Sequence, residues 1–214
     1  MNLLIKSATI VDRKSPFHLK SKDILIKNGI ISDIKDQIEE ENAILVDLPN
    51  LHLSKGWFDS SVCFGEPGFE ERETIANGLD VCQKSGFTGI VINPNTQPVA
   101  DHSSVIEFIK NATKSHGVDI YPVGALTEKS EGQHIAELYD MKSKGAVAFG
   151  DYKSCISNAN LFKIALQYSK TVDTLIQVYP SERQISDSIF PPKVRSTSPG
   201  HPNIMLWVVR GPDP

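Results

Sequence analysis

From Gly56 onward, apolar strand-like runs alternate with helical stretches, and no other feature narrows the possible folds as much. The strand candidates are Trp57 to Phe64, Phe87 to Asn93, Asp119 to Leu126, Ala146 to Asp151 and Thr174 to Tyr179. Helical periodicity falls between them, at 69–85, 102–116, 131–143 and 157–170, and Gly86, Gly117 and Gly145 stand where helix C-caps belong. Repeated β-then-α units of this size predict a parallel sheet with crossover helices. The strands are almost continuously apolar, which predicts burial of both faces. A closed (β/α)₈ barrel needs eight such units and typically about 250 residues. Five units leave two options, an open doubly wound sheet or part of a barrel. After Ser181 the periodicity fades, and Pro191-Pro192, Pro199-Gly200 and Gly211-Pro212-Asp213-Pro214 all break regular structure.

The first 55 residues follow a different pattern. Short β-type runs lie at Leu3 to Ile10, Asp23 to Lys27, Ile30 to Ile34 and Ile44 to Asp47, with Asn28-Gly29 as a strong hairpin signal. A small antiparallel sheet is expected there, and Glu39-Glu40-Glu41 reads as a solvated loop. The expected organisation is an N-terminal β-sheet unit over 1–55, a (β/α) unit over 56–190 and an irregular tail over 191–214. With 40% apolar and 22% charged residues in 214, the chain can bury a core. A net charge of -4 without a basic stripe argues against nucleic acid, and no apolar run approaches the roughly 20 residues that span a bilayer. Met1 to Ala8 runs into Asp12, Arg13 and Lys14 and reads as a strand, not a signal peptide. Three widely spaced cysteines, Cys63, Cys82 and Cys155, imply no disulfide framework and fit a reducing cytoplasm.

In parallel α/β folds the chemistry sits at the C-terminal ends of strands. The first candidate strand ends with Asp59, Ser61 and Cys63 on one face, because strand side chains alternate. Asp and Cys can bind zinc, whereas Ser is a poor ligand. The bland alternative for Cys63 is a small buried apolar side chain. The second strand leads into Asn93-Pro94-Asn95-Thr96-Gln97-Pro98-Val99, where Asn and Thr could bind a polar substrate. Equally, this is a capped turn before a helix, with Asp101 or Ser103 as N-cap. Asp151 follows Gly150 at the fourth strand end and is either a ligand or base, or an ordinary loop residue. The fifth ends Val178-Tyr179-Pro180, without obvious chemistry. None of the six histidines falls at the end of a candidate barrel strand. His102, His116 and His134 read as helix-terminal or surface residues.

Several stretches together resemble dihydroorotases of the amidohydrolase superfamily. They are Gly56-Trp57-Phe58-Asp59 with Phe64 and Glu66-Pro67-Gly68-Phe69-Glu70, then Gly86-Phe87-Thr88-Gly89 and Pro94-Asn95-Thr96-Gln97-Pro98-Val99. Glu137-Leu138-Tyr139-Asp140-Met141 and Gly145-Ala146-Val147-Ala148-Phe149 complete the set, and a weaker echo runs from Val194 to Ile204. The opening Leu4-Ile5-Lys6 with Ala8 to Asp12 is similar to the N-terminal sandwich strand of many amidohydrolases. The resemblance implies a β-sandwich beside a (β/α)₈ barrel, present here as about five of the eight units. It also implies reversible opening of the cyclic amide of dihydroorotate, with a zinc pair activating a water. The family's first strand carries Asp-x-His-x-His followed two residues later by a substrate-binding arginine. Here those positions hold Ser61, Cys63 and Gly65, and the histidine ending the fifth strand is matched by Tyr179. A bridging aspartate is matched by Asp151 and a substrate-contacting asparagine by Asn95. Ser and Tyr are not expected to replace imidazole on zinc, and loss of the arginine removes a bidentate partner for a carboxylate.

These replacements lead to the expectation of a non-catalytic family member without zinc. It would act through binding, as a homo-oligomer or with another pyrimidine-pathway enzyme such as aspartate carbamoyltransferase. The alternatives are an active zinc hydrolase using Asp59, Cys63 and Asp151, and a shortened product without independent function. Five strands should leave a gap flanked by Trp57 to Phe64 and Thr174 to Tyr179, exposing Phe58, Leu175 and Ile176, unless Ile204 to Val209 folds back as a strand to cover it.

Overall fold

The computed structural model describes residues 2–113 and 116–179, together with the backbone of 207–209. The chain separates into two compact units, Met1–Gly56 and Trp57–Pro214.

The first unit is one five-stranded sheet. Its strands are β1 (Asn2–Val11), β2 (Ser21–Lys27), β3 (Ile30–Lys35), β4 (Ile44–Val46) and β5 (His52–Ser54). The β2–β3 hairpin turns at Asn28-Gly29, both at positive φ (52° and 79°), the conformation a two-residue turn between right-twisted strands demands. The expected all-antiparallel sheet is corrected: β4 and β5 both pair with β1 in parallel. A register shift between Ile5 and Ala8 puts Ser7 at φ 50°. Asp23 explains the shift. It is 1% exposed, takes the Ser7 N–H at 2.8 Å and the Ile38 N–H at 3.0 Å, and pairs with Lys6. Burial alone would raise its carboxyl, but Lys6 and the two N–H groups outweigh that and hold it below the usual carboxylate range. Ile5, Ala8, Ile10 and Ile24 form the core on one face, and Leu4, Leu25 and Ile38 on the other.

The second unit is a curled half-barrel. Five parallel strands, β6 (Trp57–Val62), β7 (Phe87–Ile92), β8 (Asp119–Gly124), β9 (Ala148–Phe149) and β10 (Leu175–Val178), are joined by α1 (Ile75–Lys84), α2 (Ser103–Asn111), α3 (Leu138–Ser143) and α4 (Ala159–Thr171). One strand face packs on the helices. Leu79, Ile90, Ile106, Ile120, Leu138 and Phe149 are nearly solvent-free in that layer. Gly86 and Gly145 follow α1 and α3 at positive φ, as C-cap chemistry requires. Gly117 does not, because α2 already closes at Ala112.

Several boundaries move for identifiable reasons. The helix expected at 69–85 begins only at Ile75, whose N–H is taken by the Glu66 carboxylate at 2.6 Å, and Thr74 caps it. The helix expected at 131–143 shrinks to α3 behind a 3₁₀ turn at Glu128–Ser130, so His134 lies in a loop. His102 occupies the N-cap of α2 without a capping hydrogen bond. Asp101 instead accepts the Lys129 N–H at 2.8 Å.

Burial of both strand faces holds only in part. Phe58 is 59% and Leu175 39% exposed on the open face, whereas Ile176, expected there, is fully buried against the helices. A three-residue strand, β11 (Trp207–Val209), pairs antiparallel with β10, so part of the Ile204 to Val209 run does fold back beside it. The remainder of the expected tail over 191–214, with the Val194 to Ile204 echo, lies outside the described residues.

Candidate functional site

The end of β6 and its neighbours build the site. Asp59 turns its carboxylate onto its own strand and accepts the Ser61 N–H at 2.9 Å. Ser61 and Cys63 project to a common side, because the amide of Asn93 reaches both. Its Nδ2 donates to Ser61 Oγ at 3.0 Å and lies 3.4 Å from Cys63 Sγ and 3.3 Å from the Val62 carbonyl. Asn93 follows β7 and is 3% exposed, so its amide is a fixed clamp across the strand end. The reading of Cys63 as a buried apolar side chain is corrected, since it is exposed.

Tyr152 enters from the loop after β9. It sits at φ 53°, a left-handed conformation that costs a non-glycine residue about 1–2 kcal/mol. Its hydroxyl is pushed up to about 12, by burial first and then by the neighbouring Cys63 thiol. Lys153 Nζ lies 5.2 Å from the Tyr152 ring centroid. Ser61, Asn93, Tyr152, Lys153, Gln177 and Tyr179 line a narrow recess with room for about one or two waters.

Asp151 is close in sequence but turned elsewhere. It is 5% exposed, and Oδ1 accepts the N–H groups of Leu126 and Thr127, both at 2.9 Å. Oδ2 accepts the Thr127 hydroxyl at 2.6 Å. Burial raises its carboxyl, and these hydrogen bonds oppose the shift without cancelling it. Its visible work is to anchor the strand-to-loop turn after β8. Asn95 is half-buried, and among the described residues no hydrogen bond engages its side chain. Among the described residues no three His, Cys, Asp or Glu side chains gather as a metal site.

Gly65 has φ 123°, and its carbonyl accepts the Phe69 N–H at 3.1 Å in a tight turn. A Cβ built there would meet the Phe69 carbonyl oxygen at 2.6 Å. The loop is therefore shaped around a residue without a side chain.

Comparison with known proteins places this geometry. A family model described as Dihydro-orotase-like matches residues 52–189. This chain belongs to the dihydroorotase-like family. It is 38% identical over 186 residues to a dihydroorotase of Pelotomaculum thermopropionicum, which covers 87% of this chain and 43% of that protein. It is 36% identical over 179 residues to one of Syntrophus aciditrophicus, covering 82% and 42%. The chain thus spans less than half the length of the curated relatives it matches. Among solved structures, the L-hydantoinase of Arthrobacter aurescens superposes with a TM-score of 0.65 at 18% identity, over 87% of this chain and 42% of that one. A crystal structure of a dihydroorotase gives 0.61 at 13%, over 85% and 51%. Those two likenesses concern the fold alone: a (β/α) half-barrel matched to part of an amidohydrolase chain.

Within this dihydroorotase-like half-barrel, the structure brings Ser61 and Cys63 together at one strand end and lines the same recess with Tyr179. It keeps Asp151 in its own hydrogen-bonded turn and folds Asp59 back on the strand. Tyr152, Lys153 and Gln177 are additions that sequence reading did not single out, and Asn93 was read only as part of the polar loop after the second strand. Asn93 carried one signal: an amide, a poor strand former, ending an otherwise apolar run. Tyr152 carried none, because its position follows from a left-handed backbone.

Proposed function

We propose that this chain is a non-catalytic member of its family that acts by binding and does not open cyclic amides. The observation that carries this reading is the strand end where the resemblance calls for two histidines and an arginine. Ser61 and Cys63 stand there under the Asn93 amide, and Gly65 occupies a turn with no space for a side chain. The side chains present do not fit a zinc pair. Asp151 has its oxygens engaged by Leu126 and Thr127, Asp59 faces its own backbone, and Ser and Tyr are poor zinc ligands at neutral pH. The role left to the chain is association, with its own copies or with another pyrimidine-pathway enzyme such as aspartate carbamoyltransferase. Three cysteines without disulfides suit a reducing cytoplasm, and among the described residues no helix is long and apolar enough to cross a membrane.

The test is dihydroorotate opening, and carbamoyl aspartate closure, by the purified chain with zinc supplied. Turnover no higher than the buffer background is expected. Adding Ser61→His, Cys63→His, Gly65→Arg and Tyr179→His together should not restore it, since the position 65 turn opposes the arginine. Zinc-dependent turnover that disappears in Cys63→Ala would replace this reading with an active hydrolase using an unusual ligand set.

A further inference from the structure

Two Asn-Gly steps occur in the chain, Asn28-Gly29 and Asn77-Gly78, and the fold puts them in opposite surroundings. At such a step the next backbone nitrogen can attack the asparagine side-chain amide, because glycine has no Cβ to shield that nitrogen. The fold decides whether the nitrogen is free and whether the backbone can bend to bring it in.

Asn28-Gly29 is the turn between β2 and β3, exposed at both residues. The last paired residues are Lys27 and Ile30, so the Gly29 nitrogen lies outside the ladder. Among the described residues its N–H donates no hydrogen bond. A Cβ built on Gly29 meets no atom within 4 Å, so a ring closing on that nitrogen has room and water reaches it. Bending the turn gives up only the Lys27–Ile30 pair, and Ile30 is 71% exposed.

Asn77-Gly78 lies in the first turn of α1. The Gly78 N–H donates to the Thr74 carbonyl at 3.0 Å, and Asn77 Nδ2 donates to the Glu73 carboxylate at 2.8 Å. Gly78 is buried, and a Cβ there would meet the Phe64 ring at 2.5 Å. Attack at this step requires unwinding α1 and dislodging the fully buried Leu79.

We infer that Asn28 is a site of spontaneous deamidation in the folded protein, and that Asn77 is protected from it. The Gly29 nitrogen loses its proton to hydroxide and bonds to Asn28 Cγ. The Cγ–Nδ2 bond breaks, and the amide leaves as ammonia with a proton from water. The five-membered imide then takes up water at either carbonyl, one C–N bond opens, and aspartate or isoaspartate remains. One water is consumed, one ammonia is released, and no oxidation state changes. Either product adds a negative charge beside Lys27, whose ammonium pairs with Glu40 at 2.6 Å. Aspartate keeps the turn, since Asp-Gly suits it as Asn-Gly does. Isoaspartate adds a methylene to the main chain between β2 and β3 and breaks the two-residue register. The inference is independent of whether the recess at Cys63 has any chemistry.

The test is ageing of the full chain in mildly alkaline buffer, folded and in urea. Peptide mapping by mass spectrometry follows both asparagines, and isoaspartyl methyltransferase labelling reads the isoaspartate. Each site's folded rate is divided by its own rate in urea. Asn28 should keep its unfolded rate to within about tenfold, and Asn77 should be slowed by about a hundredfold or more, since only opening of the helix exposes it. Asn28→Gly should keep the fold by circular dichroism, because Gly-Gly also suits the turn, and should remove most isoaspartate labelling of the folded chain. A folded-to-unfolded ratio for Asn28 as low as that for Asn77, or labelling undiminished in Asn28→Gly, would overturn the inference.

Discussion

Gly65→Ala is the smallest change that tests whether the loop after β6 has been rebuilt around a missing side chain. The added Cβ would lie 2.6 Å from the Phe69 carbonyl oxygen and 3.2 Å from Phe69 Cβ, and the obstructing oxygen is backbone. Relief therefore requires moving the turn that the Gly65–Phe69 hydrogen bond closes. Phe69 is in turn held by Arg72, whose guanidinium lies 4.2 Å from the ring centroid. A side chain at φ 123° costs about 1–3 kcal/mol in backbone strain, and crowding a packed site adds about 1–3 kcal/mol more. The sum, about 2–6 kcal/mol, corresponds to a drop in Tm of roughly 4–24 °C for a chain of this size. Thermal and urea unfolding of Gly65→Ala and Gly65→Arg beside wild type provide the measurement. The loss should already be present in the alanine variant, because strain and not the guanidinium causes it. An alanine variant as stable as wild type, or more stable, would refute the reasoning and reopen position 65 to an arginine.

Asp23→Ala should cost about 3 kcal/mol, since it strands Lys6 and two N–H groups beneath the N-terminal sheet; urea unfolding reads this directly. Because the Asp23 carboxyl is held low in the fold, its stabilisation is present above the ordinary carboxylate range and disappears as pH falls below about 4, a loss absent from the variant. Asp151 has the opposite sign. Its raised carboxyl contributes stability in acid that is lost as pH climbs from about 4 through the raised value, so Asp151→Asn should flatten the profile of Tm against pH in that window. Thiol labelling followed by peptide mapping should find Cys63 first, being exposed, and Cys82 late, because burial and then Asp59 and Glu73 push its thiol up. Labelling in the reverse order would show that the β6 end is not open as described.

What the sequence disclosed was mainly local chemistry. Asn28-Gly29 specifies its turn through the positive φ that both residues tolerate, so the hairpin could be read without knowing the rest of the sheet. The β-then-α spacing after Gly56 likewise carries its own length constraint. Pairings between distant segments were not legible. Nothing in Ile44–Val46 or His52–Ser54 announces that both lie parallel to β1. Helix starts were blurred for a related reason: the 69–85 periodicity continues through the loop, and Glu66, nine residues before Ile75, fixes where α1 begins. At the site, strand alternation correctly puts Ser61 and Cys63 on one side. The clamp over them, Asn93, is visible only once β7 lies beside β6. Asp151 shows the same limit. Its place after β9 could be read off, while the Leu126 and Thr127 donors that occupy it come from the segment that follows β8.

Metal content after purification in zinc-supplemented medium tests the non-catalytic reading most directly. Elemental analysis of the desalted chain, with parallel zinc titration by calorimetry, should find well under about one zinc per chain and no tight binding event, because four-ligand protein sites are what hold zinc firmly. One or two zinc ions per chain, retained through desalting and lost in Cys63→Ala, would contradict it.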